Sequence, residues 1–275
     1  MNKPDLSIVI VHCQTPNFLK MCLGSIFETL SGINYELIIV DSLSSSGTRN
    51  LIKERAPGAK LIFSATNLGY ARGVNMGIKQ AEGNFVLALN PDIILTSGSV
   101  EQLLAYIQAH PDIGILAPQL RNFNGTVQRS YFRYYQPLTV IARRSFLKRF
   151  SYFRKIVERF LMTDTDQEKI QTPDWIMGSI LLVSKQVIAK VGLIDESFFM
   201  YFEDVDWARR FWQNGFKVVY YPKVFAYHYH QRESKSGYGI FDVLINRKTR
   251  WHISSAAKFF LKYRNLSRAA NLSSS

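Results

Sequence analysis

The chain has 275 residues, 47% hydrophobic and 20% charged, a balance typical of a globular protein with a full apolar core. Its net charge of +13 indicates an anionic partner such as a nucleotide, a nucleic acid or an acidic membrane surface. Cys13 and Cys22 cannot make a disulfide framework, and no apolar run suits a signal peptide or a membrane span. We therefore expect a cytoplasmic protein with reduced thiols.

The first part of the chain alternates strand-like and helix-like patterns. Short apolar runs predict strands at residues 6–11, 36–40, 60–63, 85–89 and 113–117. Apolar residues at helical spacing predict helices between them, at residues 17–30, 48–55, 70–82 and 100–109. This alternation predicts an α/β fold whose mostly parallel sheet is flanked by helices on both faces. Sites in such sheets lie at the carboxyl ends of the strands.

The pattern changes after residue 120. Residues 126–135 follow a turn signal and predict a hairpin arm, and residues 129–159 are basic and aromatic. The remaining predicted elements are an apolar return to the core at 175–184, a helix at 203–214 closed by Gly215, a strand at 217–221 and a basic amphipathic helix at 240–266.

Asp41 ends the second predicted strand and is followed by serines. A carboxylate in this position can accept the N3–H of a pyrimidine base. The alternative is an ordinary Asx-turn or helix cap.

Residues 67–77 place glycines and asparagines at the start of the third helix. Gly69 and Gly73 permit a close backbone approach, and the amino end of a helix attracts phosphate. Arg72 could pair with a diphosphate. The spacing differs from the dinucleotide fingerprint, and the alternative is a capped helix with packing glycines.

Asn90, Pro91 and Asp92 follow a fully apolar strand. An aspartate at such a tip suits Mg²⁺ or Mn²⁺, which bind one or two carboxylates together with phosphate oxygens. The alternative is a type I turn. A neutral His228 near Asp92 could complete the metal shell, and chemistry alone leaves His230 open as well.

Two further motifs carry chemical groups. Trp175 precedes Gly178 and Ser179 and could form a wall for a sugar ring, although core packing suits a tryptophan equally well. Glu203 and Asp204 follow an aromatic run, where burial and like charge can raise a pKa toward a value useful for proton abstraction. Their alternative role is to complement a helix dipole.

Asp206 has the weakest claim of the three neighbouring acids. It lies four residues before Arg210, so we expect a pair on the helix surface.

Taken in chain order, these motifs resemble an inverting family-two glycosyltransferase with the GT-A fold, and most closely its bacterial rhamnosyltransferase-like branch. The resemblance covers residues 6–228. It implies a base-binding Asp41, a catalytic base Asp204 with Glu203 beside it, and an Mg²⁺ or Mn²⁺ ion on Asp92 and His228. It also implies contacts to ribose, diphosphate, sugar or acceptor from Asn67, Gly69, Arg72, Asn75, Asn90, Trp175, Gly178 and Ser179.

The resemblance also implies a domain plan. A GT-A domain would span residues 1–235, with a nucleotide-sugar half at 1–120 and an acceptor half at 121–235 that contains a basic insertion at 129–172. Residues 236–275 would form a basic amphipathic helical tail.

The implied activity is transfer of a sugar to a hydroxyl of a lipid-linked or polysaccharide acceptor during synthesis of bacterial surface polysaccharides such as O-antigen or capsule. The implied donor is dTDP-L-rhamnose. Basic residues between aromatics would hold the protein at an anionic membrane, whereas nucleic-acid motifs are absent from the sequence. The alternatives are a UDP-hexose transferase of the same fold and a catalytically dead, membrane-binding module.

Two positions depart from the family pattern. Asn90 replaces the first aspartate of the commoner metal motif, which lowers the charge of that site. Ser42 stands where asparagine is usual, and Ser46 with Gly47 replaces an Asp-Gly pair.

Overall fold

The computed structural model describes residues 3–144, 149–229 and 246–272. The strands are β1 (Leu6–Cys13), β2 (Tyr35–Ser42), β3 (Lys60–Ser64), β4 (Phe85–Leu89), β5 (Ile93–Ile94), β6 (Ile113–Arg121), β7 (Val127–Gln128), β8 (Tyr131–Phe132), β9 (Trp175–Ile176), β10 (Ile180–Ser184) and β11 (Lys217–His228). The helices are α1 (Pro16–Thr29), α2 (Ser46–Arg55), α3 (Gly69–Gln80), α4 (Ser99–Ala109), α5 (Pro137–Arg144), α6 (Ser151–Leu161), α7 (Lys185–Val191), α8 (Glu203–Gln213) and α9 (Arg247–Leu272).

The strands form one large mixed sheet in the order β3-β2-β1-β4-β10-β6-β11-β5, with β7 paired to β6. The β1, β2, β3 and β4 pairings are parallel, as is β6 with β11, whereas β10 runs antiparallel to both β4 and β6. A separate antiparallel pair joins β8 to β9. This architecture confirms the predicted α/β class with a central sheet flanked by helices, and β1 to β4 form its parallel part.

Helices cover both faces of the sheet, so the central strands are apolar on both sides. One face packs against α1, α2 and α4 through Leu19, Leu23, Ile26, Ile52, Val100 and Leu103. The other face packs against α3, α7, α8 and α9 through Val74, Ile78, Val187, Val205 and Phe259.

Two glycines let α3 lie directly on β1. A Cβ atom at Gly73 would come within 2.6 Å of Val11 Cγ1, and one at Gly77 would overlap the side chain of Val9. Any larger residue would push the helix off the sheet. This close packing holds the first turn of α3 at the carboxyl end of β1.

The C-terminal helix packs into the body of the protein. Phe259 and Tyr263 are buried in the same core as α8, and the Tyr263 hydroxyl donates to Asp206 Oδ1 at 2.7 Å. Lys262 Nζ also lies 2.6 Å from that oxygen. Asp206 does pair with Arg210, at 3.0 Å, but the predicted surface position was wrong because its side chain is fully buried between α8 and α9.

Candidate active site

The sheet order brings several of the predicted residues to one edge. β1 lies between β2 and β4, so Asp41, near the end of β2, and the Asn90–Asp92 turn after β4 flank the carboxyl end of β1. β10 runs antiparallel to β4, which places Ser179 opposite Asn90, and the amide of Asn90 donates to the carbonyl of Ser179 at 2.9 Å. The amide of Gly178 donates to Asp204 Oδ2 at 3.1 Å. Two consecutive residues therefore connect the Asn90 turn to the first turn of α8.

Asp41 is buried, and the hydrogen bonds that it accepts go to one of its two carboxylate oxygens. His12 Nδ1 lies 2.7 Å from Oδ1, and the hydroxyl of Ser44 donates to the same oxygen. Within the described residues Oδ2 is buried and has no hydrogen-bond partner. An unsatisfied carboxylate oxygen attracts a ligand N–H, as expected for a base-binding residue. Sequence reasoning missed His12; its signal was an ionisable residue near the end of an otherwise apolar strand.

The turn before α3 has a strict backbone requirement. Asn67 Oδ1 accepts a hydrogen bond from the Gly69 amide at 2.9 Å. Gly69 has φ +71°, and a Cβ atom there would collide with the carbonyl oxygen of Phe199. The turn therefore lies directly against the segment that leads into α8. Arg72, in the first turn of α3, has an exposed side chain available to an anion.

The expected role of Asn75 in donor binding was wrong. Its side chain is buried, its two amide hydrogens are donated to the carbonyl of Ile194 and to Glu196 Oε1, and its oxygen accepts from the Ile194 amide. These bonds occupy both donors and the carbonyl. Asn75 instead anchors the 194–196 segment to α3.

Asp92 and His228 meet where β11 pairs with β5. His228 Nε2 lies 3.6 Å from Asp92 Oδ2, and Asp92 Oδ1 is a buried oxygen without a hydrogen-bond partner in the described part of the chain. Both groups are ligands that Mn²⁺ accepts. The described ranges contain no group of three or more His, Cys, Asp or Glu side chains that could hold a metal. This fits a cation that takes its remaining ligands from phosphate and water. His230 lies outside the described residues.

Gln128 orients the His228 ring. Its amide nitrogen donates to the His228 carbonyl at 2.7 Å and to Asn122 Oδ1 at 2.6 Å, so its oxygen faces His228 Nδ1 at 2.9 Å. An amide oxygen only accepts, so Nδ1 carries a proton and Nε2 is the ring nitrogen that faces Asp92. Sequence reasoning missed Gln128, which lies 100 residues from its partner.

The two acids at the start of α8 have raised pKa values. Burial raises the pKa of Asp204 to about 6, although hydrogen bonds from the Gly178 and Val205 amides oppose that shift. Burial and the neighbouring Asp204 charge raise the pKa of Glu203 well above its ordinary value. Glu203 Oε2 is buried and has no hydrogen-bond partner among the described residues. The Tyr70 hydroxyl donates to the Gly178 carbonyl and completes the wall behind the pair.

The backbone before these acids is strained. Tyr201 and Phe202 have φ values of +69° and +68°, a left-handed region that costs about 1–3 kcal/mol for residues other than glycine. Packing holds them there, since the Phe202 ring lies 4.7 Å from that of Tyr135 and 5.4 Å from that of Phe259. The strain sets the direction in which Glu203 and Asp204 leave the chain.

Trp175 is a core residue, so the expected role as a sugar-binding wall was wrong. It is 6% exposed, its ring stacks 4.6 Å from that of Phe132, and its indole nitrogen donates to the carbonyl of Arg133 at 2.9 Å. The two small residues of the same motif, Gly178 and Ser179, lie at the sheet edge beside Asp204 and Asn90.

The raised pKa of Glu203 predicts a pH-dependent effect of Glu203→Gln. The folded state keeps the Glu203 proton after the unfolded chain has lost it, so this group's contribution to stability is lost as pH rises above about 4.3 toward the folded pKa. The variant removes that titration. We expect it to match wild type near pH 4 and to melt roughly 3 °C or more above wild type at pH 8.

Melting curves at both pH values test this expectation, with Glu28→Gln as the control because Glu28 is exposed on α1. An equal shift at pH 4 and pH 8 would contradict the assigned titration.

Known proteins match this chain in sequence and in fold. The family model Glycosyl transferase family 2 matches residues 7–170, and Glycosyl transferase family group 2 matches residues 94–273. The N-acetylglucosaminyl-diphospho-decaprenol L-rhamnosyltransferase of Mycobacterium tuberculosis is 29% identical over 208 residues, which are 70% of this chain and 66% of that protein. The chain thus spans slightly less than two thirds of this relative.

A second relative aligns over nearly its whole length. Rhamnosyltransferase WbbL of Escherichia coli K12 is 23% identical over 271 residues, 94% of each chain. The crystal structure of GalNAc-T7 with UDP, GalNAc and Mn²⁺ superposes with a TM-score of 0.64 at 15% identity, covering 84% of this chain and 44% of that one. That likeness confirms the predicted GT-A fold. Because one family model matches more than half of the chain, the protein belongs to glycosyl transferase family 2.

Proposed function

We propose that this chain is an inverting glycosyltransferase that moves a sugar from a nucleotide diphosphate to an acceptor hydroxyl. The observation that carries the proposal is the Gly178–Ser179 link. Through it, the half-buried carboxylate of Asp204 and the Asn90–Asp92 turn are held at the same sheet edge. A base for the acceptor and a site for the leaving diphosphate are the two parts that a direct displacement needs.

The donor lies along the carboxyl ends of β1, β2 and β4. Asp41 accepts the base N–H, and Asn67, Gly69 and Arg72 at the start of α3 hold ribose and diphosphate. Asp92 and His228, with Asn90 beside them, would hold Mg²⁺ or Mn²⁺. When bound there, the cation supplies positive charge to the leaving diphosphate.

Asp204 takes the proton of the acceptor hydroxyl. With a pKa of about 6 it is largely ionised at pH 7 and still basic enough to accept that proton. Glu203 lies beside this base, and burial and the neighbouring Asp204 charge raise its pKa well above the ordinary value, so it can contact the acceptor as a group of altered basicity. Attack from the side opposite the diphosphate inverts the anomeric carbon. Gly178 and Ser179 line the acceptor side.

The proposed donor is dTDP-L-rhamnose, and the proposed acceptor is a lipid-linked or polysaccharide hydroxyl in surface-glycan synthesis. Support comes from the names of the mycobacterial and E. coli relatives, both rhamnosyltransferases, the first acting on a diphospho-decaprenol sugar. A UDP-hexose is the second candidate, since the GalNAc-T7 structure holds UDP. A catalytically dead module would have no use for a carboxylate of raised pKa at this edge.

The domain plan belongs to the same proposal. Residues 1–120 form the nucleotide-sugar half, and residues 121–235 form the acceptor half. Helix α9 packs against α8, which carries Glu203 and Asp204.

Replacing the base tests the mechanism directly. Asp204→Asn should lower kcat by about a hundredfold or more and leave donor affinity nearly unchanged, because an amide cannot take the acceptor proton. In wild type, kcat/KM should fall as pH drops below about 6, where Asp204 becomes protonated. Rate measurements across pH, with the exposed Asp164→Asn as control, check both points. A kcat within about twofold of wild type would rule out this base.

The metal site makes a separate prediction. EDTA should abolish turnover, and Mg²⁺ or Mn²⁺ should restore it. Gln128→Leu removes the acceptor that orients His228, so Mn²⁺ affinity in the presence of UDP should fall by about tenfold to a hundredfold.

Calorimetry or Mn²⁺ electron paramagnetic resonance measures that affinity independently of turnover. Gln108→Leu, on the exposed face of α4, is the matched control. Full activity in EDTA, or unchanged Mn²⁺ affinity in Gln128→Leu, would remove the metal assignment.

The basic insertion is the proposed membrane contact, on the inner face of the plasma membrane. Leu138, Ile141, Phe150 and Tyr152 on or beside α5 and α6 expose 42%, 50%, 56% and 63% of their surface. They lie among basic residues Arg143, Arg149, Arg154, Lys155 and Arg159. Such a surface suits anionic headgroups and the acyl boundary. Among the helices that the structure describes, none has the length and apolarity to cross a membrane.

Charge reversal tests this contact. Lys155→Glu with Arg159→Glu should weaken binding to vesicles that contain anionic lipid, and added salt should weaken wild-type binding because it screens exposed charges. Lys20→Glu with Lys53→Glu makes the same change in net charge on α1 and α2 and should retain binding. Equal wild-type binding to neutral vesicles would contradict the proposal.

A further inference from the structure

His12 and Asp41 form a buried pair inside the sheet. They lie opposite each other in the register of β1 and β2, and their side chains are 0% and 1% exposed. A polar pair of this kind needs a full set of hydrogen bonds to be stable, so its bonding pattern is informative.

The hydrogen bonds of His12 determine where its proton lies. The Thr15 amide donates to Nε2 at 2.9 Å, and a backbone amide can only donate. The ring proton is therefore on Nδ1, which donates to Asp41 Oδ1 at 2.7 Å. Since Ser44 donates to the same oxygen, Oδ1 already accepts two hydrogen bonds.

The other carboxylate oxygen of Asp41, Oδ2, is the one that remains for a ligand. Oδ2 is buried and has no partner in the described ranges, an arrangement that a bound donor group would relieve. Because His12 and Ser44 occupy Oδ1, Asp41 presents one oxygen to a ligand. A bidentate contact to two adjacent donors is excluded.

We propose that His12 is a positioning residue that makes Asp41 a single-oxygen acceptor, so that the site selects a nucleoside diphosphate whose base has one imide N–H. Uracil and thymine have that group. Cytosine presents a lone pair at the same ring position, which the carboxylate repels, and guanine presents two adjacent donors, of which one would stay unpaired. This inference rests on the proposed function and adds the residue that restricts which bases its donor can carry.

Calorimetric titration with UDP, dTDP, CDP and GDP in the presence of Mn²⁺ tests the selection. Wild type should bind UDP and dTDP at least about tenfold more tightly than CDP and GDP. Comparable affinity for CDP or GDP would overturn the inference. Binding of none of the four would overturn the proposed function itself, so the two failures are distinguishable.

Two substitutions at residue 12 separate positioning from packing. His12→Asn keeps an N–H near the Nδ1 position and so retains the bond to Asp41, whereas His12→Gln places its amide near Nε2 and retains only the bond from Thr15. Both remove the ring. We expect His12→Asn to keep the preference for UDP over GDP and His12→Gln to lose most of it, because the freed Oδ1 can then accept the second donor of guanine. An equal effect of the two substitutions would overturn the positioning role.

Ser44→Ala provides a measurement that leaves the imidazole in place. It removes the second donor to Oδ1 and should reduce the preference for UDP over GDP by a smaller factor than His12→Gln. An unchanged ratio in both Ser44→Ala and His12→Gln would contradict the inference.

Discussion

The candidate site depends on two hydrogen bonds made by the backbone groups of two consecutive residues. The amide of Gly178 donates to Asp204, and the carbonyl of Ser179 accepts from the amide of Asn90. Neither bond requires a particular side chain on the connecting residues, although little space is available there, since a Cβ atom at Gly178 would lie 3.3 Å from the ring of Tyr70. The two residues before the antiparallel strand β10 thus hold Asp204 and the Asn90–Asp92 turn at a fixed separation.

The segment before α8 is also held by contacts with α9. Lys262 of α9 lies 2.6 Å from both Asp195 and Asp206, and the hydroxyl of Ser255 donates to the carbonyl of Met200 at 2.9 Å. Burial tends to raise the pKa of Asp195, but its bonds to Lys262 and to Ser197 lower it to about 2. These contacts stabilise the left-handed backbone that orients Glu203 and Asp204.

The chain as a whole is basic, whereas its candidate site contains carboxylates. Lysine and arginine outnumber aspartate and glutamate by 34 to 21 in the chain. Among the described residues of the candidate site, Asp41, Asp92 and Glu203 each have a buried carboxylate oxygen without a hydrogen-bond partner. Burying an unsatisfied polar group costs about 1–3 kcal/mol, so these atoms are retained at the expense of stability. In the proposed mechanism a ligand N–H, a cation or an acceptor hydroxyl would satisfy these oxygens, and binding free energy would be concentrated at the reacting groups.

The sequence by itself determined the alternation of strands and helices, because hydrophobic periodicity depends on local geometry. It also determined that Asp41 and Asp92 follow strand ends and that Glu203 and Asp204 stand at the start of a helix. It could not determine hydrogen-bond partners that are distant in the chain. Asn75 satisfies a segment 119 residues away, and His12 pairs with Asp41 across 29 residues.

Tertiary structure decided the remaining assignments for the same reason. Trp175 stands in a motif that suited a sugar-binding wall, yet its neighbours in space are Phe132 and Phe160, so it belongs to the core. Asp206 has helix-surface spacing to Arg210, yet α9 covers it. Periodicity shows which side of an element is apolar. Only the packing of distant elements decides which polar groups are buried, how they are satisfied and which oxygens remain for a ligand.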